Sequence, residues 1–425
     1  MVRIMMALAS LSAMASAQVT FPPTDSAPLS ANPVIQWNRN LLALVRTPGA
    51  QPGTIHPTRS FAMMHAAIYD AVNAIDQTHH AYLVPVSGTL SSASPEAAAA
   101  AAYEVLIGLY PKLQTTLLNE LDQSLALIPD GADKNEGMRI GVAVADQILA
   151  IRSNDGASTQ PGPVTVTSGN VPGGYESTPP NFPKAQFTLW SQVTPFALPQ
   201  ASQFRPGPPP ELTSQAYSDD FNEIKSLGRA RSTMATVDQA LTGRFWNGPI
   251  QNYWNEIAQT AALANHLTTA QSARLFALLN LTFADGVIAF YDAKYTYNFW
   301  RPVTAIRAAD IDENPGTAAE PDWLPEAGNT PSDPSYPGAH AVISAAGAIV
   351  LRSYFGSDQS NFSVTSEVLA GVQRSFTTFS AAADEAAFSR IFAGVHFRTD
   401  LTTGQQLGAS VATWVVNNFL TPVIP

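Results

Sequence analysis

Three short stretches in the last third of the chain carry residue types suited to holding an oxyanion. In KYTYNFWRP, Lys294 and Arg301 are seven residues apart. That spacing is about two helical turns, so both side chains leave one face if the helix persists. Pro302 disfavours helical geometry at Arg301 and predicts that the helix ends there, which puts both cations at an element terminus. The second stretch, Ser335-Tyr336-Pro337-Gly338-Ala339-His340, precedes the apolar run AVISAAGAIV. A glycine turn opening a helix offers free backbone N–H groups backed by the helix dipole, so Gly338 and Ala339 form an anion seat with His340 in the first turn. In the third, Ser389-Arg390 is followed after five residues by His396 and after three more by Asp400. Gly394 is expected to end the helix that presents Arg390, leaving His396 on a connector. Asp400 then opens the next helix, where its carboxylate can accept from His396 Nδ1 and leave the Nε2 lone pair facing outward. Taken singly, each stretch also reads as something ordinary: a solvated helix end, a capping turn, a satisfied His–Asp pair.

The elements that must position these residues are helical. After a Pro/Ser/Ala-rich lead-in to Pro33, apolar positions recur at helical spacing over 34–45 and 56–75. Ser94-Pro95-Glu96 opens an Ala-rich helix that Pro111 interrupts, and helical patterning resumes to Leu127. A further helix fits 134–152. From Ser153 to Glu211 the chain is dense in Pro, Gly, Ser and Thr, which predicts a long ordered loop covering a core. Helices are then expected over 214–227, 237–265, 268–297, 339–355, 363–375, 381–393 and 399–419, with a second loop over 311–337. Strand-period alternation is scarce and no internal repeat stands out. The expected fold is all-α, about ten helices in bundles joined by long Pro/Gly-rich loops.

Composition narrows the function. Of 425 residues only 13% are charged, and 33 acidic against 22 basic residues give a net charge of −11. Such a chain repels phosphate backbones and anionic lipids at long range, which argues against nucleic acid as a partner. Any bound anion needs a local cationic cluster. The absence of Cys removes disulfides, thiol catalysis and thiolate metal sites. Residues 1–17, MVRIMMALASLSAMASA, read as a signal peptide with a positive start, a short apolar stretch and a small-residue cleavage pattern. No later run of about 18 uninterrupted apolar residues suggests a membrane span, so a secreted, extracellular protein is expected. Of the two glycosylation sequons, the one at Asn280 falls inside a helical pattern and the other at Asn361 does not. His65 reads as a core residue and His56 as lacking acidic partners. Tyr291 and Trp300 flank the cations closely enough to line a pocket.

Taken together, Lys-x6-Arg-Pro, Pro-x-x-His and Ser-Arg-x5-His-x3-Asp resemble the signature of the vanadium-dependent haloperoxidase and type 2 phosphatidic acid phosphatase superfamily. YNFWRPVTAIRAAD and SRIFAGVHFRTD are most similar to its soluble, secreted haloperoxidase branch, and FAMMHAAIYDAVNAI resembles that branch's early helices. The resemblance implies two four-helix bundles with the cofactor pocket in the second, here in a C-terminal region 211–425 that follows an N-terminal helical region 18–210. It implies vanadate as cofactor, held by Lys294, Arg301, Arg390, Gly338 and Ala339, with His396 as the metal ligand through Nε2. His340 would be the acid–base for incoming hydrogen peroxide and Asp400 would orient His396, with a halide or small organic molecule as the substrate oxidised.

Two positions depart from the pattern. The family motif reads Pro-Ser-Gly-His, whereas this chain has Pro337-Gly338-Ala339-His340. A hydroxyl donor is missing at Gly338, a loss of about 1–3 kcal/mol in oxyanion binding. Asp333 stands where haloperoxidases place a Phe or His, and a carboxylate there is expected to oppose the approach of halide. Two other functions use the same residues: an acid phosphatase on phosphate esters working through a phosphohistidine at His396, and a non-catalytic oxyanion binder.

Overall fold

A computed structural model describes residues 19–20, 32–86, 92–94, 96–166 and 171–423. The expected signal peptide and the Pro95 start of the Ala-rich helix lie outside them. The described residues form thirteen α-helices and one two-stranded antiparallel sheet. The N-terminal half contains α1 (Pro33–Arg46), α2 (Pro57–Asp76), α3 (Glu96–Leu109), α4 (Gln114–Ala126) and α5 (Ala132–Arg152). After the long loop come α6 (Gln215–Leu227), α7 (Val237–Phe245), α8 (Ile250–Ala264), α9 (Thr269–Tyr297), α10 (Pro302–Arg307) and α11 (Ala339–Phe355). Strands β1 (Gln359–Thr365) and β2 (Gln373–Thr378), then α12 (Phe379–Phe392) and α13 (Arg398–Asn418), complete the chain.

Helices α2, α3 and α5 pack on one another with α1 against them; α9, α11 and α13 do the same with α8 and α12 against α11. The two bundles meet where α2 lies along α9, and one hydrophobic core runs through both. Helix α9 is long and apolar enough to cross a membrane, but 94% of its most apolar window is buried in the protein, so its hydropathy serves the core.

The bundles share a local design that periodicity alone does not reveal. Trp37-Asn38 on α1 corresponds to Trp254-Asn255 on α8, and Arg59-Ser60-Phe61-Ala62 on α2 to Arg274-Leu275-Phe276-Ala277 on α9. Asn38 Oδ1 meets His65 Nε2 at 2.9 Å, and Asn255 and Asn280 exchange side-chain hydrogen bonds at 3.0 and 3.1 Å. Asp70 on α2 accepts the backbone N–H groups of Tyr82, Leu83 and Val84; Asp285 on α9 accepts those of Phe196, Ala197 and Leu198. Each buried carboxylate thus folds a loop back over its bundle by satisfying three backbone donors at once. For Asp285 that loop is the Pro/Gly-rich stretch, whose described residues cover the core as expected, with Trp190 and Phe196 buried.

Three expectations need correction. Residues 237–265 form two helices, because Asn247-Gly248-Pro249 breaks the pattern and Pro249 starts α8 as its N-cap. Residues 363–375 lie in the β1–β2 hairpin, where Phe362 and Val364 alternate inward with exposed neighbours. Helix α9 ends at Tyr297 with Asn298 in the left-handed region, φ 49°. Pro302 therefore opens α10 at its first position and ends nothing.

Candidate active site

The three stretches converge between the C-terminal end of α9, the start of α11 and the α12–α13 connector. Close packing of α13 on α11 fixes the register. A Cβ at Gly408 would stand 2.1 Å from the Val342 carbonyl oxygen and one at Gly404 2.7 Å from that of Gly338, so only glycine permits this approach. Asp400, in the first turn of α13, is thereby laid against the first turn of α11, where its carbonyl accepts the Gly338 N–H at 2.8 Å. The turn before it has the same requirement. Gly394 takes φ +79°, and a Cβ there would lie 2.1 Å from the Gly228 carbonyl oxygen.

His396 sits on that connector, buried, with Nδ1 3.0 Å from Asp400 Oδ2. The same oxygen accepts the Ser335 hydroxyl at 2.5 Å and the Phe397 N–H at 3.0 Å. A carboxylate oxygen holding these donors takes the Nδ1 proton as well, so Nε2 keeps its lone pair. Arg301 Nη1 donates to that lone pair at 3.0 Å and to the Val395 carbonyl at 2.9 Å. Lys294 and Arg301 are both buried, and the Lys294 ammonium donates to the carbonyls of Pro334 and Ser335. Arg390, in the last turn of α12, donates from Nη1 to Asn247 Oδ1 at 3.1 Å, while its buried Nε has no partner. His340 is half-buried at the second position of α11 and places Nε2 2.9 Å from the Trp246 carbonyl. A carbonyl only accepts, so Nε2 of His340 carries the proton and Nδ1 the lone pair.

Electrostatics follow from burial and crowded cations. Burial, reinforced by Arg301, Lys294 and Arg390, holds His396 well below the usual histidine range; burial and Arg390 do the same for His340. Both are neutral at ordinary pH. Burial and the neighbouring Arg301 bring Arg390 down to about 9. Burial also lowers Lys294, opposed by Asp333, and raises Asp400, opposed by the Ser335 hydroxyl.

The structure thus gathers Lys294, Arg301, His340, Arg390, His396 and Asp400, and it alters four other readings. The Gly338 N–H is spent on the Asp400 carbonyl, which leaves those of Ala339 and His340 as the donors of the first turn. Asp333 turns inward: its Oδ1 pairs with Arg301 and lies 3.7 Å from Lys294 Nζ. His56 is not remote from acidic groups, because it caps α2, packs 5.2 Å from Phe187 and 6.3 Å from Tyr291, and feels the charge of Asp333. Trp300 stacks on Tyr217 in a separate small core, whereas Tyr291 faces Asp333. Ser335 and Asn247 were missed as partners of Asp400 and Arg390. Ser335 stands in the His340 stretch itself, but nothing in the sequence gives a signal for Asn247.

Fold and site together define a helical-bundle protein with buried cations gathered around a neutral, carboxylate-oriented histidine. Residues 274–423 match the family described as the VCPO second helical-bundle domain. The chain is 26% identical to the vanadium chloroperoxidase of Curvularia inaequalis over 89% of its own length and 80% of the relative's. It also resembles the crystal structure of the first bacterial vanadium-dependent iodoperoxidase, with a TM-score of 0.75 and 26% identity, covering 95% of this chain and 99% of that one. A bacterial vanadium-dependent chloroperoxidase in its apo form shares the fold at a TM-score of 0.67 and 18% identity, over 87% and 95% of the two chains. Residues 274–423 thus match that family's domain, and the chain as a whole is similar to vanadium haloperoxidases.

Proposed function

We propose that this protein is a secreted vanadate-dependent peroxidase of the haloperoxidase type, oxidising a halide or small organic substrate with hydrogen peroxide. The observation that carries this reading is the His396 Nε2 lone pair facing a buried cluster of three cations, one of which, Arg390, keeps an unpartnered Nε. An orphaned guanidinium donor inside a protein fits an anion that completes it. Lys294, Arg301, Arg390 and the N–H groups of Ala339 and His340 would hold vanadate, with His396 as its protein ligand. Bound there, vanadate supplies a Lewis-acidic centre for activating peroxide. The chain's own residues supply orientation and proton transfer. Ser335 and Asp400 hold His396 in its tautomer. His340, neutral and bound through Nε2 to the Trp246 carbonyl, offers Nδ1 as the base for a hydrogen peroxide proton.

An acid phosphatase working through a phosphohistidine at His396 would use the same residues. A paired assay separates the two: the purified full chain, with and without orthovanadate, tested for peroxide-dependent bromination and iodination and for phosphate-ester hydrolysis. Vanadate-dependent halogenation is expected. Hydrolysis that vanadate inhibits, without halogenation at any vanadate concentration, overturns the reading. For the export step, the mature N-terminus read by mass spectrometry is expected at Gln18.

A further inference from the structure

Resting on the oxyanion reading above, a further role emerges for Asp333. Its carboxylate is ion-paired with Arg301 and faces Lys294 Nζ at 3.7 Å, and its backbone carbonyl accepts Arg301 Nε at 2.8 Å. All three nitrogens of Arg301 are thereby engaged: Nε and Nη2 by Asp333, Nη1 by Val395 and His396. Arg390 stands in contrast, with no ion pair and an unpartnered Nε in a fully buried setting. The three cations are therefore divided. Two carry a built-in anion only 8% exposed to solvent, and one does not.

We propose that Asp333 is a resident counter-ion that occupies the Lys294–Arg301 side of the pocket and competes with incoming tetrahedral oxyanions, setting the protein's affinity for them. An oxyanion engages Arg390 and the α11 N-terminus without hindrance, but reaches His396 Nε2 only as Arg301 Nη1 gives it up, and gains Lys294 and Arg301 only by displacing or sharing with the carboxylate. Without it, two buried cations lose their partner, so the empty protein is destabilised while the anion-bound form gains. A buried cation stripped of its counter-ion is costly until another anion replaces it.

The test is isothermal titration calorimetry of the full chain with orthovanadate and with inorganic phosphate, for the unmodified protein, Asp333→Asn and His396→Ala. Asp333→Asn is expected to bind both anions at least tenfold more tightly, to melt at a lower temperature without anion, and to gain more on adding phosphate. If the unmodified protein binds, His396→Ala does not, and Asp333→Asn binds equally or more weakly, the counter-ion role is overturned while the site assignment stands. If neither the unmodified protein nor Asp333→Asn binds either anion, both fall. Asp333→Ser, which keeps the backbone carbonyl to Arg301 Nε, gives the same reading if the Asn variant fails to fold.

Discussion

Asp400 governs the chemistry of His396 through one carboxylate oxygen, which accepts from Nδ1, from Ser335 and from the Phe397 N–H. Asp400→Asn can present an amide N–H to Nδ1 and so move the imidazole proton to Nε2. Vanadate affinity is expected to fall about 10- to 100-fold, the usual effect of losing an outer partner of a ligating histidine, as measured by calorimetry; undiminished affinity would show that the tautomer is set elsewhere. Gly338→Ser puts Cβ 2.8 Å from Leu401 Cδ2. It is expected to cost about 1 kcal/mol of stability by overpacking, read from a urea midpoint, while the restored hydroxyl donor tightens vanadate binding by about 1–3 kcal/mol, read by calorimetry. At this scale, the types and spacing of Lys294, Arg301, His340, Arg390, His396 and Asp400 were legible in the sequence. Asp333 was legible as a departure but not in its direction, because a connector without periodicity says nothing about which way a side chain turns. Asn247 was invisible, being held to Arg390 across 143 residues of chain.

Helix packing supplies what spacing does not. The seat for Asp400 exists because Gly404 and Gly408 let α13 settle on the α11 backbone. Gly408→Ala drives a Cβ to 2.1 Å from the Val342 carbonyl oxygen. The helices must separate, with an expected loss of about 3 kcal/mol or more and of the Gly338–Asp400 hydrogen bond. Thermal denaturation with and without phosphate checks this, and an unchanged melting temperature would contradict it. Most long helices were readable because their apolar runs are too long for strands, as in α2 and α9, which are buried on nearly every side. The β1–β2 hairpin was not, because its strands of seven and six residues are too short for period two to stand out. Pro302 misled because a proline marks a helix start as readily as an end.

Across the whole molecule, four of the five buried or half-buried histidines are pushed far below the usual range and stay neutral. Burial takes His65 down to about 3 and His56 to about 4, and His340 and His396 lie well below the ordinary value. For each, the unfolded chain gains a proton below about pH 6.5 that the folded protein does not. Stability from these groups is therefore present above that pH and is lost as the pH falls. His65→Asn places on α2 the residue that α9 carries at the corresponding Asn280. Relative to it, the unmodified protein is expected to lose about 1 kcal/mol more between pH 7 and 5.5, read from urea midpoints; equal losses would place the His65 titration elsewhere. Charge and composition revealed that an anion needs a local cluster but not that the two bundles share one core, since the contact of α2 with α9 joins segments about 200 residues apart with no local signal. The most direct test of the central claim is peroxide-dependent halide oxidation by the full chain titrated with orthovanadate, beside His396→Ala. Oxidation that saturates with vanadate and vanishes in the variant is the predicted result. No oxidation at any vanadate concentration, or oxidation that survives the loss of His396, would contradict it.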